Sequence, residues 1–228
     1  MAKHVVKKVL AIDIGIKNMA LCILEKDSLD CTFHYQKVPY CIHVLDKFSI
    51  GEWGNSADVL VKRMTEMFHT SLVDRHVDAI VIEKQVSQNA TLRQLQFALQ
   101  GYFYGKYGTS KVVAFQSGLD KLKLCDQQLL EAERKRLKSS YRANKCVAQT
   151  TCIELLKETS FLPLVQHKKG DDVSDALLHA LYYLTKSSVR KKRKDGSNSG
   201  ARVESTGSTA IDNFVVSAGT SECERTAA

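Results

Sequence analysis

A chain of 228 residues, 44% of them apolar, is long enough for one sizeable core with or without a tail. Its net charge of +8 favours a polyanionic partner without choosing among DNA, RNA and acidic lipid, and a merely soluble basic surface is the plain alternative. Seven scattered cysteines with no CxxC pair exclude a disulfide framework, and the lack of a long apolar run or a secretory leader points to an intracellular, soluble protein with no membrane partner.

In chain order, residues 8–15 read as a buried strand bounded by Gly15, and Met19 to Glu25 as a second strand close enough to pair with it as a hairpin. A more polar strand, or pair of strands, is expected between Cys31 and Phe48. Cys31 and His34 lie close there but lack the second pair of ligands a zinc site needs. Ala57 to Val73 has helical spacing, with Val59, Leu60, Met64, Met67 and Phe68 on one side. A strand follows over 78–84, then a long helix from about Asn89 to Tyr107 with a Leu92, Leu95, Leu99, Tyr102 stripe. That stripe is either core packing or a dimer surface. Lys111 to Phe115 reads as a short strand, and a polar stretch precedes a helix over Ala143 to Glu158. Pro163 marks a break, and the last core helix runs from about Asp172 to Lys186. Strands first, then strands alternating with helices, indicate a mixed α/β sheet flanked by helices. This divides the chain into a folded domain over 1–187 and a tail over 188–228. The tail opens on the basic run Arg190 to Lys194 and turns rich in Ser, Gly and Thr, a composition expected to stay disordered. The basic run is a candidate nuclear-localisation signal or DNA-binding arm, against the reading of a charged helix end fading into a linker.

Four carboxylates in three separated segments carry most of the chemistry. Asp13 follows the apolar run Val9-Leu10-Ala11-Ile12, and Glu83 follows Ala79-Ile80-Val81-Ile82. Asp172 and Asp175 lie three apart at a helix start, on one helical face, where exposed amides favour ionised carboxylates. Asp171 reads as the helix cap. Acids beside buried strands need a cation, a metal or a hydrogen-bond partner. Several converging in one fold would repel each other unless a divalent metal neutralised them, the arrangement that two-metal phosphodiester chemistry uses. Gly15 lets backbone or phosphate approach Asp13 closely. An Asp-x-Gly turn also serves phosphate binding in certain ATPases, but this chain lacks the second Gly-rich loop they need, which argues against a kinase.

Together Ala11-Ile12-Asp13-Ile14-Gly15-Ile16-Lys17-Asn18, Val81-Ile82-Glu83-Lys84-Gln85, the helix ending Gly101-Tyr102-Phe103 and Lys168-Lys169-Gly170-Asp171-Asp172-Val173-Ser174-Asp175-Ala176-Leu177 resemble the RuvC-like Holliday junction resolvases. These belong to the ribonuclease-H-like superfamily, and the likeness is to the resolvases of poxviruses and other large DNA viruses. The resemblance implies a ribonuclease-H-like mixed five-stranded sheet and carries the Asp, Glu and Asp-x-x-Asp set onto Asp13, Glu83, Asp172 and Asp175. It further implies two Mg²⁺ or Mn²⁺ ions per site, products with 5′-phosphate and 3′-hydroxyl ends, and a homodimer making paired symmetric nicks in a four-way junction. A viral replication compartment, in the cytoplasm or host nucleus, follows from the same likeness.

DNA contacts should be dominated by phosphates and junction shape. Arg134, Lys135, Arg136, Lys138, Arg142 and Lys145 form the densest internal basic cluster, with a solvated helix face as the alternative, and Lys168 and Lys169 adjoin the acid pair. His179 lies one helical turn beyond Asp175, where a packed histidine is the plainer expectation. Two rivals stand beside junction cleavage: a ribonuclease-H-like enzyme acting on an RNA–DNA hybrid or flap, and a non-catalytic branched-DNA-binding protein. Four clustered acids argue against the latter.

Overall fold

The computed structural model describes residues 6–195 except 72, 75 and 87, with side chains described to residue 186. Six strands form one mixed sheet: β1 (Lys8–Asp13), β2 (Met19–Lys26), β3 (Phe33–Tyr35), β4 (Val38–Phe48), β5 (Ala79–Lys84) and β6 (Val112–Ser117), in the order β3-β4-β2-β1-β5-β6. The half β3-β4-β2-β1 is antiparallel, built from hairpins that local turns can close. β1, β5 and β6 run parallel, joined by crossovers through the helices α1 (Ala57–Ser71) and α2 (Ala90–Tyr107). The sixth strand is the three-residue β3 at the sheet edge, one more than the resemblance implies.

Side-chain alternation splits the strands between two cores. Leu10, Ile12, Ile80 and Ile82 face Leu60, Met64, Phe68, Leu95 and Leu99 of α1 and α2. Val9, Ala11, Ala20, Cys22, Ala79 and Val81 face the opposite layer of α4 (Ser140–Leu156) and α6 (Asp171–Asp195). Small residues dominate that second face, and α6 meets it with Ala176 and Ala180, both fully buried. With so few methylenes between them, helix and sheet approach closely. That approach holds the first turns of α6 against the end of β1.

Three local expectations change. The polar stretch after β6 holds a 3₁₀ turn, Lys121–Leu124, and α3 (Gln127–Leu137), capped by Asp126, whose Oδ1 accepts from Gln128 and Leu129 amides at 2.8 and 3.2 Å. Its only buried apolar residue is Leu130, so the helical period is nearly invisible in the sequence. Pro163 does not end a helix but occupies the first turn of a short one, α5 (Leu162–Gln166), where its missing N–H costs nothing. α6 continues to Asp195, past the expected boundary at 187 and through Arg190 to Lys194. The remainder of the expected tail, 196–228, lies outside the described residues.

The Leu92, Leu95, Leu99, Tyr102 stripe is core packing: Leu95 and Leu99 are fully buried, while Leu92 and Tyr102 pack against the same cluster. The other face of α2 is the exposed one, presenting Phe97, Gly101, Tyr104 and Gly105. Among the described residues no helix is long and apolar enough to cross a membrane.

Candidate active site

Parallel pairing of β1 with β5 sets Ile12 opposite Ile82, so the next residue of each strand, Asp13 and Glu83, emerges at the same sheet edge. This is where ligands bind in open α/β sheets. α6 brings Asp172 and Asp175 to that edge, and all four acids line one open cleft of about 1040 Å³. Asp13 and Asp175 are only 8% and 6% exposed.

Burial, followed by the neighbouring charge of Glu83, holds the Asp13 carboxyl well above the usual carboxylate range. Although its own burial opposes this, the same pairing, with the nearby His179 and Lys121, holds Glu83 below the usual carboxylate range. Burial also raises Asp175, although the Lys121 ammonium opposes it. Asp175 Oδ1 is buried without any hydrogen-bond partner.

Two lysines complete the site. Lys121, 7% exposed in the 3₁₀ turn after β6, places Nζ 2.6 Å from Asp175 Oδ2 and 3.4 Å from Glu83 Oε1. Burial alone would lower its pKa, but the surrounding carboxylates outweigh that and hold it raised. Lys145 on α4 ion-pairs with Asp171 and reaches Asp172 Oδ1 at 3.1 Å; the two acids outweigh burial there too. Lys145 lines the cleft whereas Asp171 does not. Asp171 is also not the cap. It is the first helical residue, and the Ser174 amide donates to the Gly170 carbonyl at 2.9 Å, one position earlier.

Glu83 is held from three sides. Gly118 lies so close that a Cβ there would stand 2.6 Å from Glu83 Oε1, so only glycine leaves the carboxylate its place. The backbone amide of Gln85 is fixed by Gln96 Oε1 at 2.6 Å. Behind it, His179 is fully buried with Nε2 3.4 Å from Glu83 Oε1, long and poorly aligned for a hydrogen bond. Gln116 Nε2 lies 2.8 Å from His179 Nδ1, so that nitrogen accepts and the proton sits on Nε2, facing Glu83. His179 is thus both packed and in contact with the site. At the Asp13 side, Gly15 has its close neighbour in the Asn18 carbonyl, so its lack of a side chain serves the β1–β2 turn.

The expected nucleic-acid residues scatter more widely. Arg134, Arg136, Lys138 and Arg142 are exposed around the α3–α4 junction. Arg136 is engaged by Glu133 at 2.6 Å, whereas Arg134 reaches Asn144 on the cleft wall at 3.3 Å. Lys168 and Lys169 are exposed on the turn before α6, where the Lys169 carbonyl accepts from Lys47 Nζ at 2.6 Å. Neither lines the cleft.

Among the described residues no three Asp, Glu, His or Cys side chains converge as a ready-made metal cage. The donor set nevertheless suits a hard divalent cation: all ligands are oxygen, one buried carboxylate oxygen has no partner, and burial followed by the charge of Glu83 holds Asp13 raised, a state that an added cation would relieve. Lys121 supplies the positive charge that such an ion would otherwise bring.

The family model for the Poxvirus A22 protein matches residues 7–187. Among solved structures, the chain is similar to the yeast mitochondrial Holliday junction resolvase Ydc2, with 16% identity over 83% of this chain and 84% of that one and a TM-score of 0.56. It is also similar to a Fowlpox virus resolvase solved with its substrate Holliday junction DNA, with 18% identity over 78% and 97% of the chains and a TM-score of 0.52. At such identities the likeness is one of fold. No curated protein matches the chain.

Proposed function

Since the chain belongs to the Poxvirus A22 protein family, we propose that it is a divalent-metal-dependent endonuclease that resolves four-way DNA junctions where viral DNA is replicated. The observation that carries this reading is the convergence of Asp13, Glu83, Asp172 and Asp175, from segments remote in sequence, on one cleft. The nuclease domain on this reading takes in residues 7–187, the span that the family model matches, with α6 running on to Asp195.

The four acids would hold two Mg²⁺ or Mn²⁺ ions, which supply an activated water and neutralise charge on the phosphate under attack. The chain's own residues do the rest. Asp13, at the end of β1, would be one of the oxygen ligands in its ionised form. Gly118 and the Gln116–His179 pair hold Glu83 in place. Lys145, in the cleft beside Asp172, offers an ammonium to a phosphate oxygen. Arg134, Lys138 and Arg142 extend the positive surface for the arms, with Lys168 and Lys169 on the approach to α6.

The test is incubation with a labelled four-way junction, an RNA–DNA hybrid and a linear duplex, with and without Mg²⁺. Paired symmetric nicks confined to the junction, with 5′-phosphate and 3′-hydroxyl ends, are expected only with metal. Equal cutting of the hybrid would replace this reading with a ribonuclease-H-like one, and metal-independent binding without cutting would leave a DNA-binding protein.

Paired nicks need two sites, and the outer face of α2 is the surface for a second copy. Phe97 and Tyr104 are 51% and 47% exposed there, and Gly101 and Gly105 let another backbone approach. Phe97→Glu with Tyr104→Glu should convert a dimer to a monomer in light scattering and turn paired nicks into single ones. A double variant that remains dimeric would place the interface elsewhere.

A further inference from the structure

The cleft contains two exposed aromatic side chains that the metal chemistry does not use. Trp53, the only tryptophan of the chain, is 60% exposed, and Tyr141 is 68% exposed; both line the cavity that holds the four acids. Tryptophan is among the most buried side chains on average, so a solvent-facing one in a cleft calls for a ligand.

Trp53 does not lie on a loose segment. The loop between β4 and α1 is tied to the β1–β2 turn by the Ile50 amide on the Ile16 carbonyl at 2.9 Å, and by the Lys17–Glu52 ion pair. Within the loop the Glu52 amide donates to Asn55 Oδ1 at 2.8 Å, and the Asn55 amide returns to the Glu52 carbonyl at 3.1 Å. These bonds tie the residues just before Trp53 to the turn that follows Asp13 and close the loop on itself around the ring. Tyr141 is placed as firmly, in the first turn of α4, with Lys145 Nζ 5.5 Å from its ring centroid. Each aromatic is therefore attached to an element that carries a catalytic group.

The occupant is limited by what surrounds the rings. The exposed cations Lys84 and Arg93 line the same cleft, so it suits a polyanion, and rings that face solvent offer flat apolar surface to a planar group. A nucleic-acid strand with unstacked bases has both properties, whereas an intact duplex keeps the faces of its bases stacked inside the helix.

Resting on the junction-cleavage reading, we infer that Trp53 and Tyr141 are stacking platforms for unpaired bases flanking the scissile phosphate. The cleft then selects a strand whose bases have left the helix, and backbone shape alone is not what it reads. Stacking of this kind tolerates any base, since every base has a flat face.

The lone tryptophan makes its own emission the probe. The full chain is titrated in EDTA, where cutting is silent, with a four-way junction, a blunt-ended linear duplex and oligothymidylate, with gel shift read in parallel. Junction and oligothymidylate should quench Trp53 by at least about half at saturation, and the linear duplex far less. Trp53→Ala should weaken junction binding about tenfold, while Trp53→Phe stays within about twofold of the parent. Junction binding with unchanged emission, or with Trp53→Ala equal to the parent, overturns the inference and leaves junction cleavage standing. Quenching by oligothymidylate without a junction preference keeps the stacking site but removes the junction reading. If no probe binds, both fail.

Discussion

Asp13→Asn should abolish cleavage, by on the order of 10³-fold or more, and at the same time raise the melting temperature of the metal-free protein. The first effect follows, on the proposed reading, from losing a carboxylate ligand at the end of β1. The second follows from electrostatics. Asp13 is held above its ordinary value mainly by burial and then by Glu83, so the metal-free fold favours a proton that the unfolded chain releases near 3.8. Stability of the metal-free fold therefore falls as pH rises from that value through the raised folded one, and the whole penalty is present above it. Asparagine removes the charge and still offers a hydrogen bond to Glu83. Melts in EDTA should show the variant above the parent by at least about 2 °C at pH 8, with the gap narrowing towards acid pH. Mg²⁺ should stabilise the parent more than the variant. A variant less stable than the parent at pH 8 in EDTA would mean that Asp13 is not under electrostatic strain.

Lys121→Met should have the opposite effect on stability. The ammonium, 2.6 Å from Asp175 and 3.4 Å from Glu83, is the cation that makes this cluster of buried carboxylates tolerable in the absence of metal. Removing one partner from a buried ion pair costs about 3–5 kcal/mol, because the remaining charge keeps its desolvation penalty. For a domain of this size that is roughly ten degrees in melting temperature. Mg²⁺ should restore much of the loss, since a divalent ion answers the same charge. Urea melts with and without Mg²⁺ would decide: equal midpoints for Lys121→Met and parent in EDTA would show that the lysine is not the counterion.

The four acids were legible in the sequence because strand ends and a helix start announce themselves. Runs such as Val9 to Ile12 and Ala79 to Ile82 are buried on both faces, and their first polar residue falls at the edge where the sheet opens. The spacing of Asp172 and Asp175 placed both on the cleft for the same periodic reason. Lys121 was not legible. Nothing distinguishes it from Lys123 two residues later, 62% exposed at its side chain, except the 3₁₀ turn that directs one inward and leaves the other outside. Lys145 looked like a member of a surface cluster, and only the packing of α4 against α6 sets it apart. The partnership of Gln116, Gly118 and His179 around Glu83 joins residues far apart in the chain, a relation that no local pattern encodes. α2 illustrates the converse limit. Its stripe was visible, but one sequence could not say whether the core or a second copy would cover it.

The packing of α6 against β1 also sets the order in which the site comes into being. The first acid made is at residue 13 and the last at residue 175, and the small side chains of the first two strands await a helix that is translated after every other layer. A nascent chain halted before Gly170 carries Asp13 and Glu83 but neither acid of the final pair. On the proposed reading, the cleft gains its full set of acids only when the end of the folded region reaches its beginning.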